Sequence, residues 1–170
     1  LFIKKIGGNK MIRDIRRNGA QPKDTMHKAD VALVTGMGVV IKDASTVKLP
    51  GEETAKNIYV ATKERIPTGI NAARTDMSDY DEDFVNIAKG EFLGLERYTD
   101  GEKFATDQFK ADDFSGEVAD GTAVSVGADG KWQKATASTV PSKFVYEKDF
   151  NDNGHKLIMI RVESDTVTNA

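Results

Sequence analysis

Residues 118–134 read VADGTAVSVGADGKWQK, two short alternating runs bent around Gly127-Ala128-Asp129-Gly130. Val124 and Val126 point to one side, with Thr122, Ala123 and Ser125 around them, and Trp132 and Ala135 resume the pattern after the turn. Glycine adopts positive φ without steric cost, so this spacing predicts a β-hairpin. Most of the chain from about residue 31 is written in the same style. VALVTGMGVVIKD (31–43) is Val-rich with a Gly-x-Gly interruption and reads as two strands or one bulged strand. TVKLP (46–50) is a short strand ending at Pro50. NIYVATKERIP (57–67) alternates, with Ile58, Val60 and Thr62 on one face and Tyr59 and Ala61 on the other.

FVNIAKGEFLGLERY (84–98) reads as two strands separated near Gly90, and EKFATDQF (102–109) as another opened by Asp100-Gly101. KFVYEKDF (143–150) and KLIMIRVES (156–164) flank Asn151-Asp152-Asn153-Gly154, and Asn-Gly between alternating apolar runs is a strong hairpin signal. About nine to eleven short strands at turn spacing predict an all-β fold, a small sandwich or barrel of short antiparallel strands. A short helix is conceivable around residues 76–90.

The chain has 170 residues, room for one domain or two very small ones, and its 39% hydrophobic and 30% charged composition suits a folded, rather polar protein. It has no Cys, which excludes disulfides, thiolate catalysis and Cys-based metal sites. No apolar run approaches the ~20 residues of a membrane helix. LFIKKIGG at the start is too short and too soon interrupted to be a secretory signal, and the initial Leu points to trimming, a missing segment or maturation.

The net charge of −3 is distributed unevenly: residues 1–30 carry eight Lys or Arg against three Asp, and the remainder is strongly acidic. The reading is therefore an extended basic N-terminal arm over 1–29 and a β-rich domain over 30–170. IRDIRR (12–17) is long enough for about a turn and a half of helix, too little to stand alone. Phe2, Ile3, Ile6, Met11, Ile12 and Ile15 have no obvious core of their own. They are expected to pack on a partner chain while Lys4, Lys5, Arg13, Arg16 and Arg17 pair with its acids. On this reading, deleting residues 1–18 leaves the body folded and abolishes assembly.

No constellation reaches an enzyme signature. Asp149-x-Asn151-x-Asn153-Gly154 matches half of a calcium loop, but the twelfth position, where a bidentate Glu belongs, is Ile160. Asp76, Asp79, Asp81, Glu82 and Asp83 read as a charged surface loop and, among these candidates, as the better place for a cation. Gly36-Met37-Gly38 lacks the third glycine and following helix of a dinucleotide site. His27 and His155 are far apart in sequence, each beside a Lys, with no nucleophile context. The arm's single aromatic, Phe2, argues against independent nucleic-acid recognition. No cofactor is expected.

The phrases DGTAVSVGADGKWQKA and DVALVTGMGVVIKD, with FKADDFSGEV ahead of the first, resemble the hairpins of small structural proteins of tailed-phage virions. The family is the capsid decoration (cement) and head-fibre-base group, with some head-tail adaptor barrels. The resemblance covers about residues 30–66 and 113–163. It implies a non-enzymatic subunit of the virion capsid that binds the major capsid protein and copies of itself and stabilises the shell. Alternatives are a head-tail adaptor or tail subunit, a carbohydrate- or receptor-binding β-module, and a hydrolase or lyase on a β-scaffold. Trp132 separates two of these: burial favours the structural role, exposure in a groove favours binding.

Overall fold

The computed structural model describes residues 12–19, 23–63 and 85–170. Among them the fold is all-β, with thirteen strands: β1 (Ile12–Arg16), β2 (Lys28–Ala29), β3 (Leu33–Val34), β4 (Gly38–Ile41), β5 (Thr46–Lys48), β6 (Tyr59–Lys63), β7 (Asn86–Ile87), β8 (Leu93–Glu96), β9 (Lys103–Thr106), β10 (Val124–Val126), β11 (Trp132–Lys134), β12 (Ser142–Asp152) and β13 (His155–Val167). A five-stranded sheet runs β2-β5-β4-β6-β8 and a four-stranded sheet β1-β9-β13-β12; β10-β11 and β3-β7 are two-stranded. The pairing is antiparallel except for β2 against β5.

The alternation along β6 decides the layering. Ile58 and Val60 join a cluster with Phe104, Phe144, Ile158, Ile160 and Val162 of the four-stranded sheet and with Val124, Val126 and Trp132 of the β10–β11 hairpin. One residue on, Ala61 faces a second cluster with Ala29, Leu33, Val39, Val47, Ile87, Leu93 and Leu95. The two larger sheets therefore face each other across the first core, as in a sandwich. The five-stranded sheet is buried on its other face as well, which is why β6 reads apolar at successive positions rather than at every second one.

Turn chemistry sets the register. Asn153 (φ 52°) and Gly154 (φ 93°) bridge the Asp152–His155 pair. This left-handed two-residue loop matches the twist of the flanking strands. In Asp43-Ala-Ser-Thr46, Asp43 accepts from the backbone N–H groups of Ser45 and Thr46 and from both hydroxyls. Those bonds, led by the Thr46 hydroxyl, lower the Asp43 carboxyl to about 2 and close the β4–β5 connection.

Gly36-Met37-Gly38 is a packing device. The Gly36 carbonyl accepts from the buried Trp132 indole at 3.1 Å and from the Thr106 hydroxyl at 3.2 Å. A methyl on Gly38 would overlap both γ-carbons of Val126. The interruption thus marks where the five-stranded sheet touches the hairpin.

Two expectations change. IRDIRR is a strand, not a helix: Ile12, Arg13 and Asp14 pair with Thr106, Ala105 and Phe104 of β9, which offers a ladder that an isolated helical turn lacks. Residues assigned to the arm are bonded into the body, since β1 extends the four-stranded sheet and Lys28–Ala29 pairs with β5. Of the conceivable helix at 76–90, residues 76–84 lie outside the described residues and Asn86–Ile87 is strand.

Replacing Gly38 by Ala should cost about 1–3 kcal/mol in urea unfolding, the size of an overpacked core. Adding Val126→Ala to that variant should recover part of the loss. Gly116, which has open space where a Cβ would stand, should accept Ala almost silently. Equal effects at the two glycines would mean that the Gly38–Val126 contact is unimportant.

Candidate functional site

The residues expected to bind a partner divide into three groups. Phe2, Ile3, Lys4, Lys5 and Ile6 lie outside the described residues. Ile12, Arg13 and Arg17 are engaged by the chain's own fold. Ile15 and Arg16 face solvent: Ile15 is the extra residue of a register shift between Asp14 and Arg16, and Arg16 pairs with Lys103 beyond it.

Ile12 packs against the principal core. The Arg13 guanidinium reaches the Asp152 carboxylate at 3.0 Å, joining the edge strand to the tip of the β12–β13 hairpin. Arg17 stands 4.3 Å over the Tyr98 ring, with nitrogens 3.6 Å from Glu102 and 3.8 Å from Glu96. Lys23 adds a contact to Glu96 at 3.1 Å.

Glu102 is fully buried. One of its oxygens accepts the Asn18 N–H at 2.9 Å and the other the Thr99 N–H at 2.7 Å. Burial pushes its carboxyl up, but the two N–H groups and Arg17 outweigh that and hold it below the ordinary value. Above this pair the Tyr98 hydroxyl donates to Asp14 at 2.5 Å, with Glu96 at 3.1 Å. Burial, then Glu96 and Asp14, push the phenol far up, so it stays protonated and acts as a donor rather than a base. The cluster fastens β1 to the β8–β9 connection.

The other candidates are also absorbed by the fold. Trp132 is fully buried, its ring 5.3 Å from Phe104 and 5.1 Å from Phe144. In the half-calcium motif, Asp149 accepts from Tyr146 and pairs with Lys156, Asn151 accepts from the Gly154 N–H, and Asp152 holds Arg13. These carboxylates and amides build the hairpin end. Among the described residues no group of three His, Asp or Glu is arranged to hold a metal; the acidic stretch 76–83 lies outside them. His27 Nδ1 is 3.0 Å from Asp24, on the segment leading into β2. His155 opens β13 opposite Asp152.

Sequence reasoning missed Glu102, which sits at the start of a strand whose apolar residues dominate its pattern. It also missed two polar clamps. Glu53 accepts from Ser125 at 2.6 Å and from the Thr136 N–H at 2.8 Å. The Asn169 amide bonds Ala123 and Ala135 at 2.8–3.0 Å. Such contacts span 34 to 83 positions of chain and leave no local pattern.

A groove of about 660 Å³ also went unread, because it is assembled from four separate stretches: residues 55–58, 97–100, 141–144 and the end of β13. Comparison with protein families, curated proteins and solved structures gives no match.

Glu102 ties stability to pH. Its folded value lies below its unfolded one, so its contribution is complete above the ordinary Glu value of 4.5 and disappears as pH falls through the folded value. Thermal melts should show Glu102→Gln less stable than the parent at pH 7, the gap narrowing below about pH 4.5. A gap that is constant or widens on acidification would contradict this assignment.

Proposed function

We propose that this chain is a non-enzymatic structural subunit of a tailed-phage virion, an accessory protein that binds and stabilises the major capsid shell. The observation that carries the reading is the anchoring of β1. Arg13 and Arg17 are tied inward to Asp152, Glu96 and Glu102, while Ile15 and Arg16 remain exposed on the outermost strand of the described four-stranded sheet. A basic leader joined to a rigid sheet edge suits a subunit that grips an acidic neighbour, because the anchor limits the chain entropy lost on docking. Burial of Trp132 removes the aromatic platform that a carbohydrate module would need. A ring-forming adaptor or tail subunit uses the same architecture and differs in symmetry.

The geometry moves the informative deletion. Removing residues 1–18 strips away β1, the Arg13–Asp152 pair and the Asn18–Glu102 bond, so it damages the body as well as the leader. Removing residues 1–11 should leave the melting temperature within about 2 °C of the parent, whereas removing 1–18 should lower it by roughly 5 °C or more. The 1–11 deletion should also lose co-sedimentation with shells assembled from the capsid protein of the same genome. Full-affinity binding by that variant would defeat the role given to the leader. Electron micrographs showing closed rings in place of decorated shells would favour the adaptor.

A further inference from the structure

An asparagine followed by glycine is open to attack by its own backbone, because glycine has no side chain to keep its nitrogen from the neighbouring amide carbon. The chain holds two such pairs, Asn18-Gly19 and Asn153-Gly154. The fold treats them differently. Asn153 and Gly154 form the left-handed turn of the β12–β13 hairpin, closed by the Asp152–His155 pair. The Gly154 N–H donates to Asn151 Oδ1 at 2.7 Å. Using that nitrogen as a nucleophile costs the bond and distorts the turn.

Asn18 and Gly19 lie just past β1, and both are exposed. Gly19 has φ 113°, and its N–H makes no hydrogen bond among the described residues. Nothing stands within 4 Å of where its Cβ would be, so no neighbour confines it. Asn18 itself is tied to the body. Its N–H donates to Glu102 at 2.9 Å, and its side-chain nitrogen donates to the Asp100 carbonyl at 2.7 Å. The second bond lies at the surface, where water competes for both partners.

We infer that Asn18 is a site of spontaneous deamidation that loosens the attachment of β1, whereas Asn153 is spared. The Gly19 nitrogen gives up its proton to solvent and attacks Asn18 Cγ. The bond from Cγ to the side-chain nitrogen breaks, and that nitrogen leaves as ammonia. Water opens the resulting succinimide at one carbonyl or the other, giving aspartate or, with the main chain rerouted through Cβ, isoaspartate. One water is consumed and one ammonia released, with no oxidant or cofactor. The product is a carboxylate where an amide donor stood, so the bond to the Asp100 carbonyl is lost. It also adds negative charge to the residue whose N–H supports the fully buried Glu102, which has Arg17 as its neighbouring cation. The inference does not depend on the virion reading.

Peptide mapping by mass spectrometry tests the site on the full chain kept in warm, mildly alkaline buffer. Aspartate and isoaspartate should accumulate at residue 18 about fivefold faster or more than at residue 153, the size of one hydrogen bond's protection. In the urea-unfolded chain the two rates should converge, since both pairs are Asn-Gly. Equal rates in the folded chain, or an inert Asn18 where the unfolded chain converts, would overturn the assignment. Amide exchange in β1 should quicken both in the aged protein and in Asn18→Asp, with the central pairs of β12 and β13 unchanged. Exchange in β1 that stays at the parent rate in both samples would overturn the loosening.

Discussion

The body depends on one carbonyl. Gly36 lies in the loop between β3 and β4, and its oxygen receives the indole of Trp132 and the hydroxyl of Thr106. The first donor belongs to the β10–β11 hairpin and the second to the four-stranded sheet, so a single acceptor joins three separately paired units. Beside it, the Gly38 N–H donates to the Gly130 carbonyl at 2.9 Å, and Gly38 lies against Val126. Hydrophobic burial is indifferent to direction. These bonds are not, and they fix how the hairpin is laid across the apolar faces it covers.

Charge performs the same service at the edge. A carboxylate without solvent is costly, and an arginine beside it offsets that cost only when the remaining lone pairs find donors. Glu102 meets this condition through the N–H groups of Asn18 and Thr99, with Arg17 alongside. The arrangement gives β1 a defined position that five residues of ladder would hold only loosely. What reads in sequence as a run of free bases is therefore part internal fastening and part exposed surface.

Local signals were the legible ones. The Asn153-Gly154 hairpin, the Gly-Ala-Asp-Gly turn, the split near Gly90 and the two strands around Gly36-Met-Gly38 all follow from turn residues set between alternating apolar runs. Short edge elements read poorly. IRDIRR has helical spacing, but its conformation is decided by β9, some ninety positions away. The arm's bases looked unpartnered because Asp152, Glu96 and Glu102 are also far away in sequence. The groove was invisible for the same reason: a bulge in one strand gathers residues from four stretches, none of which carries a motif.

The placement of Val60 and Ala61 in different cores has a consequence for how this molecule moves. A central strand buried on both faces cannot loosen on one side without exposing the other, so the two layers share a single opening event. Slow amide exchange belongs to the middle of the sandwich, and faster opening to its margins, where β1 and the bulged end of β13 lie. A chain built this way concentrates its freedom at the perimeter while its interior opens as one block.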